Sequence, residues 1–164
     1  MLNRKVVQIS PDTEKALSTS EDENVVAGMS ALVYSGIEKT KEVLEKVGCR
    51  LMIFGRGKVS GNQFFVASQN INDDQTRYIV AVRGMDQLIG WGLRNIDVRI
   101  SKVRKVEGNV HHGFGDLAED VFAAIPKRIV TDVKAGVAKV LVTGHSLGGT
   151  ASNVVAAMLY EEGV

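Results

Sequence analysis

Residues 139–160, KVLVTGHSLGGTASNVVAAMLY, leave this chain few ways to fold. Val140, Leu141 and Val142 make the short, β-branched, wholly apolar run of an interior strand. Gly144-His145-Ser146-Leu147-Gly148 follows with no room for a loop, and Ala151, Val154, Val155, Met158 and Leu159 then recur at the spacing of one helical face. A strand must therefore turn sharply into a helix, with a serine at the apex. Side chains at positions 144 and 148 would collide across so tight a turn, and Gly149 lets the helix sit close on the sheet.

That geometry has a chemical use. A serine lifted out of the packing can present its hydroxyl to a carbonyl carbon. The amide of Leu147 then stands at a helix N-terminus, where free N–H groups and the macrodipole favour negative charge, so an oxyanion formed at Ser146 would be stabilised. An isolated G-x-S-x-G can arise by accident. The strand before this one and the helix after it argue that it is an elbow.

Two upstream motifs give TGHSLGGT a context: Val110-His111-His112-Gly113-Phe114, some thirty residues before it, and Tyr78-Ile79-Val80-Ala81-Val82-Arg83-Gly84 further back. In that order and approximate spacing the three resemble the fungal-type class 3 lipases of the α/β-hydrolase superfamily, over about residue 25 to the end. The resemblance implies a three-layer α/β fold, a mixed sheet with flanking helices, lacking its C-terminal part. It implies hydrolysis of carboxylic esters, acylglycerols above all, and a place in lipid metabolism. Ser146 would be the nucleophile, Leu147 and Met85 would supply the oxyanion amides, and Gly144, His145, Gly148 and His111 would be the elbow and its structural neighbours. No cofactor and no metal is implied.

The same resemblance requires an acid and then a histidine after the serine. Residues 147–164 contain neither histidine nor aspartate, and all three histidines, His111, His112 and His145, precede Ser146. The chain is expected to be weakly active or inactive by itself, since loss of triad members leaves only residual catalysis. The rival reading is a non-catalytic lipase-like scaffold or truncated remnant. Against it stands the intact GHSLGG, which a pure scaffold has no chemical reason to keep. An elbow strand left at a sheet edge would favour a second copy of the chain or a complementing C-terminal piece as partner.

At 164 residues the chain can bury one core, and with 45% hydrophobic residues, 24% charged residues and a net charge of +1 it carries no signature of nucleic-acid binding. The first residues contain no apolar run of signal-peptide length, and no stretch approaches a membrane span, so a cytoplasmic location is as far as the sequence goes. Cys49 is the single cysteine, which excludes an intrachain disulfide and a thiolate metal site.

Residues 1–19 read as a loose N-terminal arm and residues 20–164 as the lipase-type domain. Ser20 and Glu23 form a capping-box pair, and Val25, Met29, Leu32, Val33, Ile37, Val43 and Leu44 then trace one long amphipathic helix, or two broken near Ser35-Gly36, stopped by Gly48. Residues 50–54 and 64–68 predict two strands around a glycine-rich loop, 55–61. That loop is no phosphate cradle: Met52 stands where the first glycine belongs and Val59 where a Ser or Thr hydroxyl would bind magnesium. A polar turn over 70–75 leads to a buried strand, 77–83.

At position 85 the family usually carries Ser or Thr; methionine keeps the oxyanion amide and loses the hydroxyl, and an oxyanion donor is worth on the order of 3 kcal/mol. The alternative is that Met85 packs at the strand end. Leu88, Ile89 and Trp91 suit either an amphipathic lid making transient contact with a lipid surface or a loop packed on its own core. Residues 98–106 alternate with a slip of parity near Ser101-Lys102, giving a bulge or two short strands whose Arg99, Lys102, Arg104 and Lys105 guard an edge. A helix over 116–132 presents Leu117, Val121, Ile125 and Ile129, and Pro126 must kink or split it. Adjacent His111 and His112 rarely converge on one ion. His112 with Asp116 is a second source of a base, since proteases with another chain order show that order alone forbids nothing.

Overall fold

The computed structural model describes residues 21–84, 99–104 and 106–164. In chain order the elements are α1 (Asp22–Leu32), α2 (Ile37–Lys46), β1 (Cys49–Arg56), β2 (Gln63–Asn72), β3 (Gln75–Val82), β4 (Ile100–Ser101), β5 (Val110–His111), α3 (His112–Ala124), α4 (Lys127–Lys134), β6 (Ala138–Gly144) and α5 (Leu147–Glu161). The main sheet runs β1-β2-β3-β6, antiparallel except for the parallel pair β3 and β6. In the β3–β6 register Val82 lies opposite Gly144, so both strands end side by side where the chain turns into α5.

Alternation along the strands feeds two cores. Phe64, Val66, Tyr78, Val80 and Val82 face α3, α4 and α5, where Leu117, Val121, Ile129, Ala151, Val155 and Met158 are buried. On the other face Phe65, Ala67, Ile79 and Ala81 pack with Val25, Met29, Leu32, Val43 and Leu44 of α1 and α2. Tyr78 to Val82 are buried because both faces of β3 are covered. Each fully buried branched side chain contributes about 2 kcal/mol over leaving it in water. The result is the expected three-layer α/β arrangement around a mixed sheet.

The helical stretch breaks where two alternatives were open. Val33 ends α1, and Gly36, at φ 80°, turns the chain into α2. The expected capping box rests on Ser20, which lies outside the described residues. Glu21 is the extended residue before the helix, no side chain caps it, and the Glu21 carboxylate instead accepts from Asn24 Nδ2 at 2.8 Å. Asp22 and Glu23 still place negative charge in the first turn, where the helix dipole favours it. Ser20 and the arm over 1–19 lie outside the described residues.

Several boundaries differ from those read in the sequence. β2 and β3 reach Asn72 and Gln75, so the polar turn shrinks to Asp73-Asp74 and continues the ladder with a register shift at Asn70/Asn72. Among its described residues the basic stretch forms a two-residue strand, β4, paired antiparallel with β5; Val98 and Lys105 are outside the described residues. α3 begins at His112 rather than Asp116, because β5 ends at His111 and the His112 N–H is taken by the Arg99 carbonyl at 2.8 Å. Pro126 splits the long helix into α3 and α4, as its missing N–H demands, and α4 ends at Lys134.

The glycine-rich hairpin loop is held from outside. Its Val59 and Ser60 N–H groups donate to one carboxylate oxygen of Asp120 on α3, at 3.0 and 2.9 Å. Burial raises the Asp120 pKa, but these amides outweigh it and hold the carboxyl below its ordinary value. The Val59 and Ser60 amides are thus committed to a carboxylate of the same chain, and those of Gly57 and Gly61 to backbone carbonyls of the loop itself.

Candidate functional site

Ser146 sits between the last residue of β6 plus His145 and the first turn of α5, with φ 55° and ψ −127°. It is the single non-glycine residue at positive φ among the described residues. For a side chain with a Cβ such a conformation costs of order 1–3 kcal/mol and persists only where the surroundings impose it. Here they do. A Cβ on Gly148 would overlap the Val82 carbonyl oxygen, and one on Gly144 would overlap the Gly148 carbonyl, so backbone meets backbone on both sides of the turn. The Ser146 side chain is pushed out and is exposed.

The start of α5 is partly satisfied from within. Gly148 N–H donates to the His145 carbonyl at 3.0 Å, and the amides of Gly149 and Thr150 donate to the Ser146 carbonyl at 2.9 and 3.2 Å. The Leu147 amide has no acceptor among the described residues, and it lies at the positive end of a 15-residue helix. The buried Ser152 hydroxyl donates to the Gly148 carbonyl at 2.7 Å and braces the first turn.

The end of β3 closes against this elbow. A Cβ on Gly84 would lie 2.6 Å from the His145 carbonyl oxygen and 3.3 Å from the Ser146 Cβ. Tyr34, from the turn between α1 and α2, reaches the same place: its hydroxyl accepts from the Gly84 N–H at 3.0 Å and lies 3.2 Å from His145 Nδ1. The Arg83 guanidinium stands over the Tyr34 ring at 4.9 Å and is tied to the Gln63 side chain. Sequence reasoning missed Tyr34, because a lone tyrosine on a helical face carries no motif.

The sequence-derived candidates fall into three groups. Gly144, His145, Ser146, Leu147 and Gly148 are brought together at the elbow. His111, at the end of β5, packs its ring on Phe114 with centroids 4.6 Å apart, and both of its ring nitrogens are enclosed without a hydrogen-bond partner among the described residues. His112 Nε2 faces Asp116 at 3.6 Å, one helical turn along α3. Met85, Leu88, Ile89 and Trp91 lie outside the described residues. Among those described, no group of three or more His, Cys, Asp or Glu could hold a metal ion, and no helix is long and apolar enough to cross a membrane.

Residues 79–164, from β3 through the elbow to the end of α5, match the family described as lipase (class 3). The chain belongs to the class 3 lipase family. Among solved structures, a triacylglycerol lipase described as having a serine protease triad at its catalytic centre superposes with a TM-score of 0.60 at 21% identity, over 93% of this chain and 54% of that one. A fungal lipase–inhibitor complex, described as a model for interfacial activation, gives 0.56 at 22% identity over 93% and 54%. The Rhizomucor miehei lipase propeptide complex gives 0.55 at 20% identity over 92% and 46%. At these identities the likeness carries the fold. The present lipase-family chain spans about half the length of those lipases. A comparison with the curated proteins gives no match.

Proposed function

We propose that this chain carries the nucleophilic half of a carboxylic ester hydrolase of the class 3 lipase type, with acylglycerol-like esters as substrates. The observation that carries the reading is the conformation of Ser146: a side chain held at φ 55° on a glycine-walled turn and exposed to solvent. Strain of this kind clusters where a group must be presented for chemistry.

In this mechanism the Ser146 Oγ attacks the ester carbonyl carbon as its proton leaves to a base. The carbonyl oxygen becomes an oxyanion within reach of the Leu147 N–H, and Met85 supplies the second amide. Collapse of the tetrahedral intermediate breaks the bond to the alcohol, which departs protonated, and water then attacks the acyl-serine and releases the acid. The base and its acid partner would be a His and an Asp from outside residues 147–164, which hold neither. Substrate lipid surfaces would meet the region of Leu88, Ile89 and Trp91.

The test pairs the chain with Ser146→Ala, using a fluorophosphonate probe and a short-chain nitrophenyl ester. The expected result is a phosphonyl adduct on the Ser146 peptide by mass spectrometry and slow nitrophenol release, both absent from the variant. The second reading is a lipase-like module that binds without catalysis. Identical behaviour of the two chains would assign that reading and overturn the first.

A further inference from the structure

Three elements that are far apart in sequence meet at one hydroxyl. Tyr34 Oη accepts the Gly84 N–H at 3.0 Å and lies 3.2 Å from His145 Nδ1. Gly84 follows the end of β3, and His145 immediately precedes the exposed Ser146. A phenolic hydroxyl has one proton to give and can accept as well. With Gly84 as its donor, the hydroxyl keeps one proton that it can give to His145 Nδ1, the arrangement that goes with a ring proton on Nε2.

The phenol is not free to leave. The Tyr34 ring meets the His145 ring edge-on, with centroids 5.9 Å apart at 73°. The Arg83 guanidinium covers its face at 4.9 Å. Arg83 is itself anchored at both ends, its N–H on the Gln63 carbonyl at 2.9 Å and its guanidinium on the Gln63 side chain. The hydroxyl therefore sits 2.8 Å from where a Gly84 Cβ would be, and the Ser146 Cβ lies 3.3 Å from that same point.

We propose that Tyr34 is a positioning residue for Ser146: its hydroxyl clamps the end of β3 to the elbow by bonding Gly84 and His145 together. The inference rests on the ester-hydrolase reading of Ser146 and adds to it a residue from a different layer of the fold. The clamp sets the distance between the β3 end and the serine, the slot that a substrate carbonyl has to enter. Displacements near 1 Å at such a slot can cost about 100-fold in rate. Tyr34 acts through Gly84 and His145 and transfers no proton to the substrate.

The experiment compares Tyr34→Phe and Tyr34→Leu with the unaltered chain. Phenylalanine keeps the ring between Arg83 and His145 and removes only the hydroxyl. Three quantities are read: the rate of fluorophosphonate labelling at Ser146, hydrogen exchange at the Gly84 amide, and the imidazole nitrogen shifts of His145, identified by a His145→Gln spectrum. Tyr34→Phe is expected to slow labelling about tenfold, raise Gly84 exchange at least tenfold, and replace the fixed Nε2–H tautomer by a mixture, with Tyr34→Leu no worse in labelling. Labelling, exchange and tautomer all unchanged in Tyr34→Phe would overturn the proposal, as would a defect confined to Tyr34→Leu. If Ser146 labels in none of the chains, the hydrolase reading fails, while the Gly84 and His145 readouts still decide whether the clamp exists.

Discussion

The carbonyl oxygen of Val82 occupies the space that a side chain on Gly148 would need. β3 and α5 therefore touch through bare backbone, and the elbow can lie on the sheet only because position 148 has no Cβ. Gly148→Ala is expected to lower stability by about 3 kcal/mol, the upper end for overpacking, since the obstructing atoms belong to backbone and cannot rotate away. Urea unfolding followed by circular dichroism measures this. A variant within 0.5 kcal/mol of the unaltered chain, the range of an ordinary surface change, would contradict the contact.

Ser146 itself should be a point of stored strain. Glycine adopts positive φ at little cost, whereas alanine keeps the Cβ that makes the conformation costly. Ser146→Gly is therefore expected to be more stable than Ser146→Ala by about 1 kcal/mol, although both remove the same hydroxyl. Equal unfolding midpoints with equal denaturant slopes would show that φ 55° at this position carries no cost.

The sharp turn from β6 into α5 at Ser146 was legible in the sequence because its constraints are local: apolar strand, glycine, serine, glycine, helical face. β3 was legible for a related reason, since an apolar run of that length can only be covered on both sides. What stayed hidden was set by long-range partners. Nothing within the hairpin loop announces that Asp120, far along the chain, will take the Val59 and Ser60 amides. The start of α3 at His112 depends on the Arg99 carbonyl meeting its amide, and Tyr34 gains its place only when α1, β3 and the elbow assemble.

Cys49 opens β1 with 4% of its surface exposed, beside the Arg77 side chain. Burial pushes the thiol up to about 11 against an ordinary value of 9.0, with Arg77 pulling only weakly the other way. The thiolate is the reactive form, so the native chain at pH 8 is expected to resist a disulfide reagent such as Ellman's for hours, and to react within minutes in urea. The linkage sign follows. The unfolded thiol releases its proton at lower pH than the folded one, so this group's contribution to stability falls as pH rises above about 9. Rapid stoichiometric reaction in the native state would contradict the burial.

The most informative pH dependence lies at the opposite end of β3 from Ser146. Asp22 of α1 accepts from Lys139 Nζ at 2.5 Å and faces Arg77 Nη2 at 2.6 Å. Arg77 is 2% exposed and also donates to Gln69, so its charge has been taken out of water and needs the carboxylate. The Lys139 hydrogen bond is the largest influence on Asp22, and with Arg77 it holds the carboxyl below 3.8 against the opposing effect of burial. A depressed folded pKa means that the stabilisation is present above the unfolded value and disappears as pH falls through the folded one. Asp22→Asn is expected to cost about 2 kcal/mol at pH 7, less than the 3–5 kcal/mol of a fully buried pair because the Asp22 side chain is 37% exposed and solvent screens it. Since asparagine resembles the protonated acid, the gap between the two chains should hold from pH 7 to 5 and begin to close below pH 4. Urea titrations at those pH values check it, and a gap that stayed constant down to pH 2 would remove the ion pair from the account of what ties α1 to the sheet.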